Sequence, residues 1–176
     1  MKKNEAGFSY IDVLIAISIL LVGVMALAGA IAGSVIRSRQ QEQQLLAKQY
    51  ATSTLESVIS ARDLNSFSLG WDSIGNVGSN PVNSVNRGVF LVGQQPLKPD
   101  SGPDQIVGTG DDTGTDVPGF ERQITITDIC DTTRPSYNCP TPGVWPVMMR
   151  QITVTIYYQA ERMQRTETIS TILAKY

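Results

Sequence analysis

The sequence predicts an α+β chain in which one long N-terminal helix packs on a C-terminal antiparallel sheet of about four strands. Three observations predict it. From Val13 to Ile36 there are 24 residues without Asp, Glu, Lys or Arg, and 19 of them are apolar. No Gly or Pro interrupts the chain from Ser34 to Leu69, and apolar residues recur there at helical spacing. The C-terminal part then alternates Ile and Val with Thr, with no further helical pattern between the alternating runs.

The charge-free run is the first element. Twenty-four helical residues rise about 36 Å, enough to cross a hydrocarbon core of roughly 30 Å. A secretory signal peptide is one reading, with Lys2 and Lys3 as its basic end. The run is longer than the usual apolar core of such peptides, however, and continues past the small-residue stretch Ala26 to Ala30. A plain membrane anchor with the lysines inside is the second reading.

The third reading comes from how the run begins: Lys2-Lys3-Asn4-Glu5-Ala6-Gly7-Phe8-Ser9-Tyr10-Ile11-Asp12-Val13-Leu14. A short basic leader ends in Gly7, an aromatic residue follows, and an acid stands four residues after it at the edge of the span. This resembles the prepilin leader and N-terminal helix of the type IV pilin superfamily, which includes the pseudopilins of type II secretion. It is most similar to the PilV-type minor pilins and the related minor pseudopilins of type I. The resemblance covers about 30 residues, and one position departs from it: the family's usual Glu is Asp12 here.

The resemblance implies cleavage after Gly7 by a prepilin peptidase and N-methylation of Phe8. It also implies that Asp12 pairs with the α-amine of a neighbouring subunit during assembly. A lone carboxylate at a membrane edge is costly and usually has a partner; the simpler reading is that Asp12 only reaches the interface water. Gly29-x-x-x-Gly33, with the small residues around it, offers a close helix-packing surface. The mid-helix proline frequent in major pilins is absent, and Gly23 is the nearest substitute. The chain thus divides into a leader (1–7), a membrane or filament-core helix (8–36), its amphipathic continuation (37–64) and a sheet domain (65–176).

In the continuation, Ala47, Ala51, Leu55, Val58, Ile59 and Arg62 fall on one face, which should lie on the sheet. An unbroken helix from Phe8 to about Arg62 reaches roughly 80 Å. Residues 65–88 are rich in Ser, Asn and Gly and read as a connection. Strands are expected at 88–93, 120–128, 147–159 and 166–173, with a polar turn through Glu161 and Arg162.

Two loops carry chemistry-bearing residues. Asp100, Asp104, Asp111, Asp112 and Asp116 lie among glycines and supply the hard oxygen ligands that Ca²⁺ takes. Their order does not match an EF-hand, and a solvated hairpin loop is the alternative. Cys130 and Cys139 have eight residues between them. The spacing is not that of a redox Cys-x-x-Cys centre, and an extracytoplasmic location favours a disulfide. Closing that loop would stabilise by roughly 2.5–3 kcal/mol in the chain-entropy model. Pilins often carry such a loop near the C-terminus, commonly a longer one.

Composition narrows the function. The chain of 176 residues has no histidine, which removes the commonest metal ligand and the usual base of a Ser or Cys nucleophile. Its net charge of −2 does not suit nucleic acid. The sequence shows no nucleophile elbow, metal cluster or paired acids, so an enzyme is not expected, nor any cofactor beyond calcium. The expected role is structural: a minor pilin-like subunit of a type IV pilus, or alternatively a minor pseudopilin or a membrane-anchored binding module. The partners implied are the prepilin peptidase, other pilin or pseudopilin subunits, the inner-membrane assembly platform and the membrane. The sheet domain is expected outside the cytoplasm.

Overall fold

A computed structural model describes residues 9–64, 69–129, 147–160 and 163–175. One α-helix, α1, runs unbroken through Tyr10–Asp63, 54 residues. Among the described residues six strands follow: β1 Pro81–Val82, β2 Val85–Asn86, β3 Gln95–Pro96, β4 Phe120–Ile129, β5 Met149–Ala160 and β6 Met163–Ala174. β1 and β2 form a small hairpin, and the main sheet has the order β3-β4-β5-β6 with every neighbour antiparallel. The α+β arrangement is as the alternating pattern predicts.

The chain divides into two compact units, residues 1–41 and 42–176. Within the first, the apolar window of α1 is not buried at all. Leu20, Val22 and Met25 are 64%, 68% and 72% exposed. The segment is long and apolar enough to cross a membrane.

In the second unit the C-terminal part of α1 packs on the sheet. The buried helix residues are Ala47, Ala51, Thr54, Val58 and Ala61, spaced four, seven, eleven and fourteen positions along one stripe. The stripe is rotated slightly from the expected one. Leu55 and Ile59 are only partly buried at its margin, and Thr54 and Ala61 take the centre. Small side chains, Ala47, Ala51 and Ala61, hold the centre of the stripe, and the larger Leu55 and Ile59 lie on its flanks. Opposite them stand Ile124 from β4, Ile152, Val154, Ile156 and Tyr158 from β5, and Leu173 from β6. Phe120 lies between Tyr50 and Tyr158, edge-on to the first and stacked on the second.

One expected strand is corrected. Residues 88–93 do not join the main sheet; its fourth strand is β3, two residues long. The run lies instead across the preceding loop. Val89 N–H donates to the Ser73 carbonyl, Phe90 N–H to Gly75, and Leu91 N–H to Gly108. Phe90 is completely buried and anchors the loop. Gly93, at φ +78°, turns the chain away in a conformation that side chains resist.

Candidate functional site

At its start α1 is capped by its own sequence. The Ser9 Oγ accepts the Ile11 N–H at 3.4 Å, and the Asp12 carboxylate accepts the Ser9 N–H at 3.3 Å. Asp12 thereby supplies the return half of a capping box, in the place usually held by Glu or Gln, while the Ser9 hydroxyl caps Ile11 rather than the N–H of Asp12 itself. The acid is exposed. In the single chain it serves the helix start, and the exposure leaves room for a second donor. Gly7 and Phe8 lie outside the described residues.

The three helix glycines share a simple geometry. A Cβ built on Gly23, Gly29 or Gly33 meets nothing within 4 Å. None of the described residues therefore demands glycine there, although each costs a helix about 1 kcal/mol relative to alanine.

The acidic loop is organised by its own hydrogen bonds. Asp112 Oδ2 accepts Arg122 Nη2 at 2.6 Å and the Gly108 N–H at 2.9 Å. Asp111 accepts the Thr109 hydroxyl at 2.6 Å and the Asp104 N–H at 3.2 Å. Asp104 accepts the Ile106 N–H at 2.7 Å. The loop is also tied to α1, where Ser57 Oγ accepts the Val107 N–H at 2.9 Å. Asp100 and Asp116 are exposed.

The five aspartates do not gather into one cage. Among the described residues no three His, Cys, Asp or Glu side chains are grouped to hold a metal ion. Burial holds the Asp104 carboxyl above the usual range, with the charges of Asp111 and Asp112 adding to it against the Ile106 and Thr109 hydrogen bonds. Asp111 is lowered, chiefly by the Thr109 hydroxyl.

Two buried arginines were not singled out from the sequence. Arg122 sits between Phe120 and Ile124 on the inward face of β4, and burial lowers its pKa against the opposing pull of Asp112. Arg150 donates to Asp128 at 2.9 Å and to the Trp71 carbonyl, while its guanidinium lies 4.6 Å over the Trp71 ring. A cation at an inward position of an alternating strand is the signal that marks both, since such a charge requires a partner. Asn76 is a third unforeseen hub. Its amide donates to the Ile124 carbonyl at 2.8 Å and its oxygen accepts the Ile126 N–H at 3.1 Å, so it pairs with β4 beyond the end of β3. Cys130 and Cys139 lie outside the described residues.

No family model, no curated protein and no solved structure matches this chain.

Proposed function

We propose that the chain is a pilin-like structural subunit, cut after Gly7 by a prepilin peptidase, held in the inner membrane by α1 and assembled into a type IV pilus. The observation that carries this reading is the order Gly7-Phe8-Ser9-Tyr10-Ile11-Asp12 running directly into 24 charge-free residues. The uncovered apolar part of α1 supports it, because none of the described residues covers that surface. So do Gly23, Gly29 and Gly33, whose open surroundings suit a close neighbouring helix.

In this reading the basic leader keeps the N-terminus inside, and the sheet domain lies outside the cytoplasm. Cleavage creates an α-amine on Phe8. The Asp12 carboxylate, already accepting the Ser9 N–H, has further lone pairs for the amine of a neighbouring subunit. Aspartate is one methylene shorter than the family's glutamate, which shortens its reach to that amine. A pseudopilus of type II secretion would use the same chemistry.

Mass spectrometry of the protein from membranes of a host with an active prepilin peptidase tests the reading. The expected chain begins with N-methyl-Phe8. An intact Met1, or a start within Gly29 to Ile31, overturns it.

A further inference from the structure

A cleft of about 280 Å³ opens at one end of the sheet, where β4 begins and β5 ends. Its position follows from register. On β5, residues 149, 151, 153, 155, 157 and 159 face away from α1, and each is less buried than its even-numbered neighbours. Tyr157 therefore lies on the outer face, between Glu121 of β4 and Thr166 of β6. One rung further, Gln159 pairs with Gln164. The chain entering β4 passes Asp116 and Pro118 and forms the remaining wall.

The half-buried Tyr157 ring is held in place, because its hydroxyl donates to Gln123 Oε1 at 2.7 Å. Glu121 is likewise oriented by a hydrogen bond from Gln94. The cleft thus has a fixed aromatic surface edged by planar amide and carboxylate groups. From it an uncharged ladder continues along the outer face. Gln123, Thr155 and Thr168 form one row and Thr125, Thr153 and Ser170 the next, with Thr155 and Thr168 joined hydroxyl to hydroxyl at 3.1 Å. Neighbouring rows lie about 7 Å apart along the strands, and neighbouring strands about 4.8 Å apart.

We infer that this cleft and its hydroxyl ladder bind a neutral oligosaccharide, with one sugar ring against Tyr157 and the following residues along the threonine rows. The chemistry selects this class in three steps. None of the described residues lining the cleft is basic, and Asp116 and Glu121 are acidic, so anions are disfavoured. An aromatic face offers apolar contact to the C–H side of a sugar, and carboxylate and amide groups bond its hydroxyls. The volume holds about one ring, near the lower end for ligand sites, so a longer ligand needs the ladder for further contacts. The site lies in the sheet domain and does not depend on filament entry.

The test uses the full chain in a zwitterionic detergent without a sugar headgroup. Maltohexaose, cellohexaose and a linear galactan hexamer are the probes; a sialylated oligosaccharide and oligolysine are the comparators. Binding is read by saturation-transfer NMR and calorimetry. At least one neutral hexasaccharide is expected to bind, with affinity falling at least tenfold in Tyr157→Ala and about threefold in Gln164→Ala, an exposed position that leaves the fold intact. Binding of oligolysine alone, of the sialylated sugar alone or of nothing overturns the inference, as does neutral-sugar binding that both variants retain.

Discussion

Arg122 Nη2 and Asp112 Oδ2 stand 2.6 Å apart with side chains only 4% and 6% exposed, so an ion pair closed off from water fastens the acidic loop to β4. The pair explains why the loop holds its shape. Asp112 Oδ2 also accepts the Gly108 N–H, and Lys98 donates to the Asp112 carbonyl at 3.1 Å. The other carboxylate oxygen, Oδ1, is buried and has no hydrogen-bond partner among the described residues. Two charges removed from water are costly unless each neutralises the other.

Removing one partner alone therefore leaves the other charge buried. Arg122→Ala or Asp112→Ala is expected to destabilise the sheet domain by about 3–5 kcal/mol. Arg122→Met combined with Asp112→Leu should cost clearly less than the sum of the single changes, because no charge is left stranded. Chemical denaturation of the three variants checks this. A strictly additive double variant contradicts the paired account.

Asp104 and Asp111 should give the loop opposing responses to acid. The Asp104 pKa is raised in the folded chain, so its contribution is full below its unfolded pKa and is lost as pH rises through the folded one. The Asp111 pKa is lowered, so its contribution is present above its unfolded pKa and is lost as pH falls through the folded one. Asp104→Asn keeps an oxygen for the Ile106 N–H and removes the charge. The variant is expected to match or exceed the parent at neutral pH and to lose that advantage as pH falls through the raised Asp104 pKa. Melting temperature as a function of pH reads the difference; a variant less stable than its parent at neutral pH contradicts it.

Gly29 and Gly33 separate the needs of the single chain from those of an assembly. With open space around each, Gly29→Ala and Gly33→Ala should leave the chain folded and raise helix stability by roughly 0.5–1 kcal/mol, seen as equal or higher helicity by circular dichroism. Filament entry, measured in sheared fractions, is expected to fall severalfold because the added methyls hold neighbouring helices apart. Full entry of both variants would show that no close helix contact forms at these residues.

Much of the fold was legible along the chain. The charge-free run, the Gly-free and Pro-free continuation and the Thr/Ile alternation are local patterns, and local periodicity decides helix against strand. β4, β5 and β6 fall close to the expected bounds for that reason. Residues 88–93 misled because a short apolar run has no periodicity to separate a ladder strand from a buried anchor. Whether Phe90 pairs or plugs depends on what lies beside it.

The acidic loop shows the same division. Five aspartates among glycines determine a polar, turning, negatively charged segment, and they determine it by composition alone. They do not determine which carboxylate meets a cation. Arg122 is ten residues beyond Asp112, on a strand whose face is fixed only once β4 pairs with β5 and α1 covers it.

By itself the sequence determined the long helix, its apolar half and the alternating strands, all of which are set by patterns over a few residues. Tertiary structure alone decided the burial of Arg122 and Arg150, the role of Asn76 at the edge of β4, and the convergence of Glu121, Tyr157 and Gln164 at one cleft. Those groups are brought together by strand register, and register is a property of the assembled sheet rather than of any one strand.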